Sequence, residues 1–251
     1  MTEQTRCYCY AVGRADWPEP DGAIGIDNAP IRLCRGERFT LIVSAAGSET
    51  YPPKRRYLKA HTALLEHLGV SGTLLPMRFG TVATSEAEAI NALEPQIRAL
   101  SEMLDRFDGK QEFGLRVEVD EQSLLKRVLS DDPALRAAAT HQRNTAGTPQ
   151  TAQIALGQRV SDALERLRRT EQKALLTLIS PHIEDHVLRA PEHPSMLLKA
   201  DLLVAKGRED GLVSALERYG ASENARMHLV GPAPLYSFVD LRLPAIGAAA
   251  A

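Results

Sequence analysis

The stretch QEFGLRVEVD, residues 111–120, constrains the chain more than any other. Phe113, Leu115, Val117 and Val119 alternate with Glu112, Gly114, Arg116 and Glu118. A repeat of two lays the apolar set on one face of a strand and the polar set on the other. Such a strand needs a sheet and a cover for its greasy face, and the following residues supply both. A helical region comes next, broken near Asp132-Pro133 and again at Gly147-Thr148-Pro149. Leu156, Val160, Leu164, Leu167, Ala174 and Leu178 then recur at helical spacing until Pro181 stops them. DHVLRA (185–190) and SMLLKADLLV (195–204) read as two strands joined by the proline-rich turn PEHP. Met196, Leu198, Ala200, Leu202 and Val204 share one face of the second. Leu212, Val213, Leu216 and Tyr219 mark an amphipathic helix that Gly220 is expected to end. ARMHLV (225–230) is the last strand. Strand, helix, strand, strand, helix, strand is the order a ferredoxin-like split βαβ requires: one antiparallel sheet with helices on one face.

The first half is also mixed α and β but less regular. CYCYAV (7–12) is an opening strand, and residues 13–30, rich in glycine and proline, predict a long surface loop. IRLCRGERFTLIVS forms a hairpin around Arg35-Gly36. Pro52 and Pro53 open a helix over 54–68, with Gly69 just past its end. The short strand GTLLP and the segment MRFGTV follow. Ser85 with Glu88 three residues later is a capping box, so a helix starts there. Pro95 interrupts it, and a second piece runs to Phe107 before the Asp108-Gly109 turn. The expected class is therefore α+β in two domains. Residues 1–109 form the less regular mixed domain and 110–244 the ferredoxin-like one; AIGAAAA (245–251) is a disordered tail.

Composition narrows the function. A 251-residue chain that is 44% hydrophobic can bury a sizeable core, and its formal charge of -2 lacks the basic excess of a nucleic-acid binder. The basic run Lys54, Arg55, Arg56 and Lys59 spreads over several faces of its helix and reads as a solvated helix end. No apolar run approaches a membrane span and no secretory signal is visible, so a cytoplasmic protein is expected. Cys7, Cys9 and Cys34 are an odd count without a further ligand pair, which favours buried, reduced thiols over a metal. HIEDH (182–186) has two histidines four apart. Ile183 stands where a metalloprotease needs glutamate, and Pro181 removes the helix that would align the rings. No P-loop, dinucleotide fingerprint or nucleophile elbow is present. No catalytic residue, cofactor or metal is expected.

Two segments remain unexplained by packing patterns alone. In HLVGPAPLYSFVDL (228–241), Gly231 and Pro232 are expected to end the last strand. Pro234 is expected to hold the chain extended, so that Tyr236 and Phe238 face the same way. They then clamp the fold or contact a partner. In LPMRFG (75–80), Arg78 between Met77 and Phe79 is either a buried, hydrogen-bonded guanidinium that fixes the loop or a substrate-binding arginine.

Four segments taken together carry a resemblance that covers nearly the whole chain. LPMRFGTV (75–82) followed by Ser85-Glu86, GKQEFGLRV (109–117), MLLKADLLV (196–204) and GPAPLYSFV (231–239) resemble, in order and spacing, the gas vesicle accessory proteins GvpF and GvpL. The resemblance implies a two-domain α+β protein with a ferredoxin-like C-terminal domain. It also implies a non-enzymatic role in gas vesicle assembly: binding the small, very hydrophobic major shell protein GvpA, keeping it soluble or nucleating the shell. Other gas vesicle accessory proteins are further expected partners, and the nascent vesicle in the cytoplasm is the expected location. A minor structural component of the shell and an enzyme with an interdomain cleft are the alternatives. The family-motif residues, structural or partner-contacting, are Leu75, Pro76, Arg78, Phe79, Gly80, Gly231, Pro232, Pro234, Tyr236, Ser237 and Phe238.

Overall fold

The computed structural model describes residues 6–144, 149–193 and 195–243. The expected tail at 245–251 lies outside them, as do parts of the PEHP turn and of the Gly147–Pro149 break. The described residues form a mixed α+β protein with antiparallel sheets. They divide into two compact units, one of residues up to 113 together with 231–243, the other of 114–230. The closing segment groups with the first unit, whereas the sequence expectation places it within 110–244. Apolar residues at 235, 239 and 241 give it a buried edge to leave behind in that first core.

The first unit is built on β1 (Cys7–Arg14), the hairpin β2 (Ile31–Arg35) and β3 (Phe39–Ala45), α1 (Arg55–Gly69), β4 (Leu75–Pro76), β5 (Val82–Ala83), α2 (Glu86–Leu93) and α3 (Ile97–Arg106). The sheet runs β2-β3-β1-β4, with β5 also on β1, and β1 pairs antiparallel with β3, β4 and β5. β1 is central, with strands on both edges, and its two faces are covered by helices. Tyr8 and Tyr10 pack with Leu64, Leu65 and Leu68 of α1, while Glu86 of α2 approaches the Cys34 thiol on the other side. The register slips between Cys9 and Ala11, a bulge that gives Tyr10 no partner opposite. All three cysteines are free and buried. The expected loop over 13–30 is more ordered than its composition suggests. It extends β1, forms a short 3-10 turn at Ile26–Asn28, and buries Trp17 and Ile26. The Ser85 cap accepts the Glu88 amide at 3.2 Å, but the Glu88 carboxylate takes the amide of Thr84 at 2.9 Å, one residue outside the standard box.

The second sheet contains β6 (Lys110–Glu118), β7 (Asp185–Leu188), β8 (Met196–Ala205) and β9 (Arg226–Ala233) in the order β7-β8-β6-β9. β7 and β8 are antiparallel, Asp185 opposite Leu203 and Leu188 opposite Ala200. The predicted β8 face is buried throughout, and Leu197 and Leu203 of the opposite face are buried as well. Between β6 and β7 stand α4 (Glu121–Asp131), α5 (Pro133–Asn144) and α6 (Gln150–Ile179). Val128, Leu135 and Ala163 make their small shared core, with Leu156, Val160, Leu164 and Leu167 against it. The stripe on α6 drifts by one residue along its length: Leu175 and Ile179 are buried, whereas the predicted Ala174 and Leu178 are exposed. A helix of 3.6 residues per turn cannot keep a strict spacing of four or three over thirty residues. α7 (Glu209–Glu223) runs through Gly220 and ends at Asn224, which takes the left-handed conformation at φ 51°.

Candidate functional site

The two motif segments meet in the first unit, on the tyrosine face of β1. Five of the chain's six tyrosines, Tyr8, Tyr10, Tyr51, Tyr57 and Tyr236, join one network of ring contacts with His61 and Phe79. His61 belongs there because α1 places it on the stripe of Leu64, Leu65 and Leu68, at helical spacings of three, four and seven. Its ring stacks with Tyr10 (centroids 5.5 Å apart) and with Tyr236 (6.1 Å), and meets Phe79 edge-on at 5.6 Å.

The hydrogen bonds fix the histidine's state. The Gly80 amide donates to the Tyr8 hydroxyl at 2.8 Å, so that hydroxyl is free to donate to His61 Nδ1, 3.1 Å away. The ring is then neutral with its proton on Nε2. His61 is 1% exposed, and burial pulls its pKa down to about 4. The backbone of Met77 opposes the fall without reaching hydrogen-bond geometry at Nε2. Burial also raises the hydroxyls of Tyr8, Tyr10 and Tyr236, so none of these rings is poised to exchange a proton near neutrality.

The LPMRFG segment docks on this cluster along its length. Leu75 and Pro76 pair with Val12 and Ala11, and the Met77 amide donates to the Tyr10 carbonyl at 2.9 Å. Gly80, at φ 85°, turns the chain so that its amide reaches Tyr8. Arg78 points outward. Its side chain is 58% exposed and pairs with Asp240 at 2.9 Å, so the buried guanidinium expected from the sequence is not found. The hydrogen-bonded part of that expectation stands, with the closing segment as acceptor. Desolvating a guanidinium costs far more than an exposed pair returns, which is reason enough for Arg78 to stay at the surface.

The closing segment departs further from expectation. β9 does not end at Gly231: it continues through a cis Gly231–Pro232 bond to Ala233. Gly231 sits at φ 154°, and a Cβ there would lie 2.6 Å from Phe113 Cδ1 and 2.9 Å from the Glu112 carbonyl oxygen. Beyond Pro234 the chain is not extended. Leu235 accepts from the amides of Phe238 and Val239, so Tyr236 and Phe238 occupy a turn and do not share the face of a strand. Tyr236 reaches the His61 ring, with Thr62 as partner for its hydroxyl, while Phe238 is half-buried. Leu235, Val239 and Leu241 supply the burial, and Leu241 bridges to Met77.

Glu112 holds that turn. Its carboxylate, 7% exposed, accepts the Ser237 amide at 2.9 Å and the Ser237 hydroxyl at 2.7 Å. Alternation assigns Glu112 to the polar, outer face of β6. The Ser237 donors make burial tolerable there, because a buried carboxylate must be hydrogen-bonded. Nothing in the strand pattern signals this. The only sequence hint is a serine amid the apolar closing motif. His61, by contrast, is a histidine on an otherwise leucine stripe and is legible in α1.

Among the described residues no group of three or more His, Cys, Asp or Glu side chains is placed to hold a metal. His182 lies in a 3-10 turn against Gly211 while His186 is on β7. Burial pushes the Cys34 thiol up to about 12, far from thiolate chemistry. The outer side of the motif is instead a shallow depression of about 500 Å³ lined by Arg6, Glu49, Arg78, Thr81, Thr84 and Arg242, among others. Among the described residues no helix is long and apolar enough to cross a membrane.

Comparison with known proteins places these features. Residues 6–240 match the family model described as gas vesicle synthesis protein GvpL/GvpF. Gas vesicle protein F of Streptomyces sp. (strain CB03234) is 32% identical, over 93% of this chain and 99% of that protein. The crystal structure of GvpF from Microcystis aeruginosa superposes with a TM-score of 0.77 at 25% identity, covering 94% of this chain and all (100%) of the other. That of GvpF from Anabaena sp. PCC7120 gives a TM-score of 0.85 at 21% identity, over 94% and 99%.

Proposed function

Because the chain belongs to the gas vesicle synthesis GvpL/GvpF family, we propose that it is a non-enzymatic assembly protein. It binds the hydrophobic major shell protein GvpA in the cytoplasm, at the nascent vesicle, and keeps it soluble until it adds to the shell. A subunit with a large apolar face aggregates unless something covers that face or pairs with its strands. The strand order β9-β6-β8-β7 supports a ferredoxin-like sheet in a two-domain protein, with β9 and β7 outermost.

The observation that carries the reading is the state of β9. It stands at the end of its sheet, eight residues long, and Arg226, His228 and Val230 are exposed, Val230 by 69%. Such an edge accepts an incoming strand through main-chain hydrogen bonds, with Val230 offering apolar contact. Amide hydrogen exchange on the chain alone and with GvpA tests it. Residues 226–230 are expected to exchange at least tenfold more slowly in the complex. A soluble complex in which those amides exchange as in the free chain refutes strand addition at β9.

A further inference from the structure

Helices α4, α5 and α6 leave a second surface open that edge pairing does not use. A groove of about 960 Å³ is lined by Leu125 and Leu129 of α4, Ala139 of α5, and Leu156, Gly157 and Val160 of α6. Leu125 is 37% exposed, and Ile154, one turn before Gln158 on α6, is 64% exposed. The rim is basic: Lys126, Arg136 and Arg143 line it, and no carboxylate does. Among the described residues these three cations make no ion pair. The sequence shows the same bias, since residues 133–161 contain Arg136, Arg143 and Arg159 but not one Asp or Glu. In a chain with 32 acidic and 30 basic residues, an acid-free stretch of that length is locally net positive. The cluster that the three helices share among themselves is small, with Val128, Leu135 and Ala163 as its buried members.

We infer that this groove seats an amphipathic α-helix of a partner protein, with acidic residues flanking the helix's apolar stripe. The apolar floor takes the stripe and the three cations take the flanking carboxylates. The wall from Gln153 to Val160 spans two helical turns, roughly 10 Å, which suits anchors at i, i+3 or i+4, and i+7. Glycine at 157 leaves an opening in that wall, since nothing stands within 4 Å of the place its Cβ would take. Charge complementarity of this kind sets partner choice and encounter rate more than affinity. The occupant is therefore selected by sign.

Two synthetic helical peptides with one leucine stripe, one flanked by glutamates and one by lysines, provide the test with the full chain. Fluorescence anisotropy is expected to show the glutamate peptide binding at least tenfold more tightly, with the difference shrinking as salt rises. Hydrogen exchange should protect residues 124–130, 136–143 and 153–160. The double variant Arg136→Glu, Arg143→Glu should reverse the preference between the peptides, an outcome that misfolding cannot imitate. Equal binding of both peptides, protection confined to another surface, or an unreversed preference overturns the proposal. So does self-association through this groove in sedimentation, or binding of anionic vesicles in place of the peptide. Strand addition at β9 is read by different amides, so either result stands without the other.

Discussion

Acid should weaken the first unit through one side chain. His61 is neutral in the folded protein, with a pKa near 4 against about 6.5 for an ordinary histidine. Between those values the unfolded chain binds a proton at this position and the folded chain does not. Stability contributed by neutral His61 is therefore complete above about pH 6.5, falls as pH drops toward 4, and is gone below it. A gap of about 2.5 pH units at about 1.4 kcal/mol each amounts to about 3.5 kcal/mol, of which about 3 kcal/mol is lost by pH 4. The charged and titratable neighbours do not rescue a cation: Tyr8, Tyr10 and Tyr236 keep their protons, and among the described residues no carboxylate contacts the ring. Urea unfolding from pH 7.5 to 4 measures the loss. His61→Gln cannot titrate, so it is expected to be less stable at pH 7.5 yet to lose about 3 kcal/mol less on acidification. Carboxylates elsewhere contribute equally to both proteins and cancel in the difference. Parallel pH profiles for wild type and His61→Gln would refute the buried, neutral assignment.

The closing segment gives two further outcomes. Gly231→Ala should cost about 2–4 kcal/mol in urea unfolding, because its Cβ meets the Glu112 carbonyl oxygen at 2.9 Å and that backbone cannot swing away. Gly80→Ala, whose Cβ clears the Tyr51 carbonyl at 3.6 Å, should cost only about 1 kcal/mol, and equal losses would discount the contact argument. Ser237→Ala removes one of the donors to the buried Glu112 carboxylate and should cost about 1.5–3 kcal/mol. Glu112→Gln, which keeps the shape but turns an acceptor into a donor facing donors, should match or exceed that loss. An unchanged midpoint in both would remove Glu112 from the account of how the turn is held.

The elements that the sequence revealed are those whose neighbours lie close in the chain. The β2–β3 hairpin, the Ser85 cap and the buried face of β8 depend on spacings of two to four residues, and all appear where the pattern places them. Features that depend on distant partners were hidden. Pro234 reads as extended because proline fixes its own φ, yet the next four residues turn to bury Leu235 and Val239 against a surface that sequence spacing cannot reveal. Glu112 reads as solvent-facing because alternation knows nothing of Ser237, 125 residues away. Arg78 reads as buried from its apolar neighbours, but its partner Asp240 lies 162 residues on and at the surface. Gly220 reads as a helix stop by composition, and Asn224 takes the left-handed position instead.

The division of labour inside the motif follows from these contacts. The conspicuous aromatics, Tyr236 and Phe79, each set one part of the ring against His61, although Tyr236 stays 39% exposed. Their outward companions, Arg78, Asp240 and Arg242, remain exposed and share one hydrogen-bonded cluster. Under the proposed function the chain would meet an aggregation-prone subunit, and an opened core would then be the stickiest surface available to that subunit. Fastening the chain's end onto its beginning, through Tyr236 on His61, Ser237 on Glu112 and Leu241 beside Met77, helps keep that core shut. The surfaces left for partners are then ones that can be covered without opening anything: the backbone edge of β9 and the basic-rimmed groove of α4, α5 and α6. Weakening the fastening should therefore raise self-aggregation before it abolishes partner binding, whereas altering either surface should do the reverse.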